Sequence, residues 1–467
     1  MPTTNDAQSP ARLPSPARLP GERGDLSKQY VEAHRDLSAG GPEWLSDLRD
    51  AALHAFDEQG LPGKRDEAWR YTKTGQLTKQ HFPLAAKADA PADLLGEFQF
   101  GDEAAAEIVL VNGRIDTAKS NFGSLPDGVI LMDLVEAAEK HPKLLQPHLA
   151  QHAELSKNPF VALATAYLVG GVFLHVPAGA SIDKTIHILH LHTGEGMATP
   201  RLLMTAGDKS KFSVTESYAG PNGQTYVTSA VTEVIAGEDC EIDHNKLNAE
   251  GDAALHVATM ETDIGARTVF ADHNCTIGSK LTRNDLNVHI NGEAADAILN
   301  GVVILSGEQH CDNHTLLDHQ QPNCPSYELY KHVLDGKSSG IFKGQIFVHQ
   351  KAQKTDSNQN SRTLLLSEDA QMNSQPALEI YADDVKCTHG STTGPLDEGS
   401  VFYLNSRGVS TETARRLLTY AFAADVTRRI KVAPVRQRVE DYMAKQHGLP
   451  TDFRIQDLAA ATDEMVF

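Results

Sequence analysis

The feature that most restricts this chain is a succession of short extended runs, from about Gly170 onward, with no helical stretch between them. GVFLHVP, TIHILHLHT, KFSVTESY, YVTSAVTEVI, ALHVATMET, NDLNVHI, AILNGVVIL, GQIFVHQ and RTLLLS alternate or cluster β-branched and apolar residues, as strands do. Turn-rich pieces separate them: AGDKS, AGEDC, NGEAAD, LDGKSS and LSEDA, beginning near residues 206, 236, 291, 334 and 366. Several intervals are close to 30 residues, others near double or one and a half times that. The period is loose and no sequence is repeated. Strands of this number and spacing suggest coils stacked as a β-helix. A large β-sandwich or barrel is the alternative. More than 200 residues with few two-residue hairpin signals favour the β-helix.

Helical texture brackets this region. Leu45, Leu48, Ala52 and Phe56 recur at helical spacing, and Gly60 with Pro62 closes the segment. Leu- and Ala-rich stretches from Leu131 to about Leu168 suit helices as well. After Gly408 helix returns. Ser410 can cap STETARRLLTYAFAADVTRRI, where Leu418, Phe422, Val426 and Ile430 fall four residues apart on one face. Arg415, Arg416, Arg428 and Arg429 flank it, Pro434 interrupts, and Val435, Val439 and Tyr442 continue the pattern. A helical cap of this kind closes the open end of a solenoid, whose backbone is otherwise unpaired, or docks a partner. The chain thus reads as a disordered Pro-rich tail over 1–40, an N-terminal helical region over 41–168, a β-helix core over 169–400 and a C-terminal helical region over 401–467.

Composition narrows the function classes. With 467 residues the chain can bury a large core without disulfides. A formal charge of −20 argues against a nucleic-acid surface, which needs a basic footprint. Five cysteines without C-x-x-C suit a reducing cytosol, hence a cytoplasmic protein. No apolar run approaches the roughly 20 residues needed to span a membrane. The start carries Ser-Pro-Ala-Arg-Leu-Pro twice between Ser9 and Pro20 and lacks the apolar core of a signal peptide. No G-x-x-x-x-G-K-[ST] or H-E-x-x-H occurs, so the chain itself binds no nucleotide through a P-loop and is no zincin. An ATP-driven role would need a separate ATPase.

Two constellations can carry chemistry. In DDVKCTHGSTTG, Cys387 and His389 are two residues apart after a strand-like run, so an extended backbone puts thiol and imidazole on one face. Two ligands do not fill the coordination sphere of zinc or an iron–sulfur cluster; other ligands would have to come from elsewhere. A cysteine nucleophile with a histidine base is disfavoured, because side-by-side neighbours seldom make the directed hydrogen bond that pair needs. The second constellation, EQHCDNHTLLDHQQPNC, supplies His310, Cys311, His314, His319 and Cys324, a possible secondary metal set or a ladder of stacked structural histidines. His187, His190 and His192 read as surface or core histidines, and Cys240 and Cys275 as small buried hydrophobes. Asp383 and Asp384 are adjacent and point to opposite faces if extended, which fails the geometry of a paired-carboxylate glycosidase.

The stretch from Asn373 to Val409, together with KRDEAWRYT, FKGQIFVHQKAQKTDSNQNSRTLLLS and SRGVSTETARRLLTYAFAADV, closely resembles the SufB/SufD family of iron–sulfur cluster assembly scaffolds. The resemblance runs from about Leu45 to the last helix and favours the SufD form, which carries Cys before Thr-His-Gly. It implies a right-handed parallel β-helix, no enzymatic activity of its own, and pairing with SufB along the β-helix. It also implies a SufC ATPase held by the C-terminal helices, through residues such as Arg415, Arg416, Leu418, Phe422, Val426 and Ile430. A transient iron–sulfur cluster or iron would be shared with SufB, with His389 a ligand and Cys387 in support, and a cysteine desulfurase would act indirectly. A homodimer is possible without SufB. The alternatives are a stand-alone β-helix metal-binding protein and a β-helix carbohydrate-active enzyme.

Overall fold

The computed structural model describes residues 25–446 apart from 38, 64 and 65. The extended runs form two parallel sheets, of 10 and 11 strands, facing one another across an apolar lumen. The chain passes from one sheet to the other and back, so the core is a parallel β-solenoid rather than a sandwich or a closed barrel. Paired residues of successive coils (Lys211–Glu241, Glu241–Val269, Val269–Asp296, Ala297–Ser326, Pro325–Asp356 and Asp356–Lys386) are 30, 28, 27, 29, 31 and 30 residues apart. Two series of turns alternate along the solenoid. The pieces near 206, 236 and 291 belong to one series and those near 334 and 366 to the other, which is why their spacing looked irregular.

One corner is held by a ladder of left-handed residues. Lys209, Asp239, Arg267, Ala294, Asn323 and Lys354 all have φ between 57 and 65°. Each donates its N–H to a carbonyl of the next coil, at 2.6–3.2 Å. The left-handed conformation costs a non-glycine residue about 1 kcal/mol, and the bond to the next coil offsets it. Stacking makes the corner a repeating unit even where the side chains differ.

Alternation along each strand sends every second side chain into the lumen. Phe212, Ile242, Phe270, Ala297, Ser326, Ser357 and Cys387 share one interior column. Val214, His244, Asp272, Leu299, Glu328, Gln359 and His389 share the next. The first column turns from apolar to small and polar after Ala297, and the second is polar at every rung but Val214 and Leu299.

The N-terminal region is mixed rather than wholly helical. Strand Ala104–Val111 pairs in parallel with Thr185–Leu191, and Ile130–Asp133 pairs antiparallel with Val172–Val176, so this region supplies the solenoid's first strands. Residues 1–24 of the expected tail lie outside the described residues. Asp25–His34 is helical, with Tyr30 buried among Phe56, Phe82 and Tyr167, so the fold begins earlier than the Pro-rich composition suggests. The helix Glu43–Gln59 ends at Gly60, whose φ of 65° favours glycine. Trp69 and Thr72, from KRDEAWRYT, fasten this region to the solenoid. The Arg283 guanidinium lies 4.7 Å from the Trp69 ring, pairs with Asp285 and Asp312, and donates to the Ala68 carbonyl and Thr72 Oγ1.

At the other end lie helices Glu398–Ser406, Thr411–Thr427 and Ala433–Gln446; residues 447–467 lie outside the described residues. Ser410 caps as expected, its Oγ accepting from the Thr413 N–H at 3.1 Å. These helices do not close the solenoid's end. They lie along its outer flank, where Tyr420, Ala423, Val426, Ile430, Val435 and Val439 bury against Leu247, Cys275, Val302, Leu329 and Val333. The strand Lys386–Gly394 is therefore the last of its sheet, and no strand among the described residues pairs with its second edge. No helix among the described residues is long and apolar enough to cross a membrane.

Candidate functional site

The open edge carries Cys387 and His389. Thr388, Thr392 and Thr393 favour extended backbone, and the strand pairs with Asp356–Leu365 so that Cys387 lies opposite Ser357 and His389 opposite Gln359. Cys387 is half-buried against the lumen's apolar cluster, and burial pushes its thiol pKa up. His389, two residues on in the same strand, faces the same side and is exposed. Around them, Asn358 donates to Thr388 Oγ1 at 2.7 Å, and Lys354 pairs with Asp384. Asp383 and Asp384 stand exposed in the preceding turn.

Beneath this edge lie two residues that motif reading did not single out. Gln359 is fully buried and donates from Nε2 to the Glu328 carboxyl at 2.6 Å. Glu328 is also fully buried; lost hydration pushes its pKa up to about 7, with Thr315 and Gln359 opposing as hydrogen-bond partners. The signal for both was arithmetic: one coil of about 30 residues before His389 is Gln359, and one more is Glu328.

Deeper in the lumen, Glu216 accepts from four groups: His190 Nε2 and His244 Nε2 at 3.1 Å, Tyr218 Oη at 2.7 Å and Thr232 Oγ1 at 2.8 Å. His244 also contacts Asp272 through Nδ1 at 2.6 Å. Burial alone would lower its pKa, but the two carboxylates outweigh that and raise it to about 9. Lys246 donates to Asn284 Oδ1 at 2.7 Å, and Asn284 to Asn313 Oδ1 at 2.9 Å. Asn313 in turn donates to Cys311 Sγ at 3.4 Å, and the rings of Tyr330 and Phe342, 5.0 Å apart, fill later coils. His187, His190 and His192 are all buried.

The strand His310–His319 divides the secondary metal set. His310 and His314 face outward. His310 Nδ1 meets Ser339 Oγ at 2.7 Å, and His314 joins the Arg283–Asp312 cluster. Cys311 and His319 face inward by the same alternation, His319 Nε2 meeting Ser326 Oγ at 3.0 Å. Cys324 sits in a turn, its thiol donating to the carbonyls of Gly292 and Pro322. These five residues therefore do not converge. Among the described residues no three His, Cys, Asp or Glu side chains are arranged to hold a metal ion. The string GKSSG at Gly336–Gly340 has the spacing of a nucleophile elbow, but it joins two strands rather than strand to helix. Its central serine, Ser338, is fully buried and its hydroxyl has no hydrogen-bond partner among the described residues, so no base stands beside it.

On the C-terminal helices, Val426 and Ile430 are covered by the protein's own sheet. An apolar stripe at four-residue spacing reports burial without saying against what. Phe422 is half-buried, with Lys331 Nζ 4.6 Å from its ring, and Leu418 is half-buried. Arg415 pairs with Glu398 and Arg416 with Glu412, both at the surface. The exposed aromatic residues lie instead on the preceding helix: Phe402 is 74% and Tyr403 55% exposed.

What these residues build is a parallel β-solenoid protein whose last coil offers a thiol and an imidazole at an open edge. Residues 189–422 match the SUF system FeS cluster assembly, SufBD core domain, and residues 22–188 match the SufBD protein N-terminal region. The chain belongs to the SufBD family, whose role is iron–sulfur cluster assembly. It is 29% identical over 426 residues to an iron–sulfur cluster assembly SufBD family protein of Synechocystis (89% of this chain, 94% of the relative). It is 27% identical over 397 residues to the iron–sulfur cluster assembly protein SufD of Escherichia coli (81% and 88%), and 26% over 423 residues to SufD of Bacillus subtilis (88% and 95%).

Proposed function

We propose that this chain is a non-catalytic scaffold subunit of a cytoplasmic SufBCD-type complex, pairing with SufB through the open last coil of the solenoid. His389 supplies a ligand to iron or to a nascent cluster, with Cys387 in support, and SufB supplies the rest. The observation that carries the reading is the uncovered strand Lys386–Gly394, which presents a thiol and an imidazole on one face at an unpaired sheet edge. An incomplete ligand set at an open edge suits a site completed by a second chain, and nitrogen ligation loosens the hold on a cluster that must be passed on. Without SufB, the same edge would accept a second copy of this chain.

A SufC-type ATPase docks on the C-terminal helices. Val426 and Ile430 hold the helix Thr411–Thr427 to the solenoid, and the exposed Phe402 and Tyr403, with Leu418, Arg415 and Arg416 nearby in the helical region, form the contact. ATP hydrolysis there would reorient the flank and expose the site that pairing with SufB buries.

The test is anaerobic cluster assembly on the chain co-expressed with its SufB and SufC, comparing wild type with His389→Ala. Loss of the cluster's visible absorbance from an intact complex is the expected result. An unchanged cluster would move the chemistry wholly onto SufB.

A further inference from the structure

The interior column under His389 ends in a pair that cluster ligation does not use. Leu299, Glu328, Gln359 and His389 occupy one register in four successive coils. Leu299 shows that the column accepts an apolar side chain, so the fold itself does not require polar groups at the next two rungs. Gln359 Nε2 is committed to Glu328. The carbonyl oxygen Oε1 is buried and has no hydrogen-bond partner among the described residues. The next rung of the column is His389, whose exposed imidazole is not bonded to that oxygen in this structure. Across the lumen the amide has room only because residue 344 is glycine: a Cβ there would lie 2.2 Å from Gln359 Nε2.

We infer that Gln359 is a positioning residue for His389: when the exposed imidazole turns in over the last coil, the Gln359 carbonyl oxygen accepts the N–H of one ring nitrogen, Glu328 holds the amide, and the other ring nitrogen is left unprotonated toward the partner. The inference rests on the cluster-site reading above. Metal-binding imidazoles almost always donate their second N–H to a carbonyl, carboxylate or water, which fixes the tautomer and ring orientation. A buried acceptor with no partner is otherwise a net loss to the fold. Here it sits one rung below the imidazole that needs it.

The test uses the full chain, alone and in complex with its SufB and SufC, as wild type, Gln359→Leu, Gln359→Met and His389→Ala. Long-range proton–nitrogen NMR of the histidine-labelled chain should show one neutral tautomer for His389 in wild type and a mixture in Gln359→Leu. The cluster bound per complex should fall about tenfold, the lower end of what loss of such a partner costs. Should Gln359→Leu fail to fold, the unbranched Gln359→Met is read in its place. An unchanged His389 tautomer would overturn the inference whatever happens to the cluster, and so would an undiminished cluster alongside a changed tautomer. Full cluster in His389→Ala defeats the interface reading instead, while the tautomer measurement still decides whether the hydrogen bond exists.

Discussion

Replacing Glu328 by glutamine should stabilise the protein, and the gain should grow with pH. Burial raises the pKa of Glu328 from 4.5 to about 7. A group raised in this way contributes its full stability below the unfolded value. As pH climbs past 4.5 the unfolded chain releases a proton that the native chain keeps, so stability falls until pH passes 7 and then levels off. At about 1.4 kcal/mol for each tenfold change, the gap amounts to about 3 kcal/mol. Glutamine has nearly the same shape and nothing to ionise. Urea unfolding of wild type and Glu328→Gln should therefore diverge by about 3 kcal/mol between pH 4.5 and 8, nearly all of it below pH 7. An advantage that does not change with pH would mean that Glu328 ionises normally in the fold. Water would then reach it through the open end of the solenoid.

Three further outcomes follow from named contacts. Arg283→Met leaves Asp285 and Asp312 with no guanidinium between them, and should lower stability by about 3–5 kcal/mol in urea unfolding, as removal of one partner from a buried ion pair does; a loss under about 1 kcal/mol would show that the cluster is hydrated. Gly301→Ala would put a Cβ 2.2 Å from the buried Tyr330 ring, and should cost about 1–3 kcal/mol by thermal unfolding; unchanged stability would show that the ring can move aside. Phe402→Asp should abolish capture of the SufC-type ATPase in a pull-down while leaving the unfolding midpoint unchanged, because the side chain is 74% exposed. Retained capture would place the docking surface elsewhere.

The solenoid was legible because its two requirements, alternation within strands and turns between them, are both local. Every extended run noted in the sequence coincides with a strand. The period was harder to read, since turns of two kinds alternate and the signals caught came from both series. That gap explains what was missed at the site. Cys387 and His389 are two residues apart and announce a shared face, whereas Gln359 and Glu328 approach His389 only when the coil length is known to within a residue, because a slip of one turns a lumen side chain to the outer face. The His310 to Cys324 set failed for a related reason: along the strand His310–His319, spacings of four keep residues on one face and odd spacings separate them, so His314 stays with His310 and His319 leaves it. The helix Thr411–Thr427 shows the opposite limit. Its stripe through Val426 and Ile430 correctly announced burial, but the surface that buries it is the outer flank of strands more than 90 residues earlier, Leu329 and Val333 among them. Since that flank takes up the helices, nothing among the described residues covers the last strand, and the open edge follows from where the apolar stripe is buried. Packing on the flank and the uncovered position of the strand that carries Cys387 and His389 are thus one consequence of a single choice of contact surface.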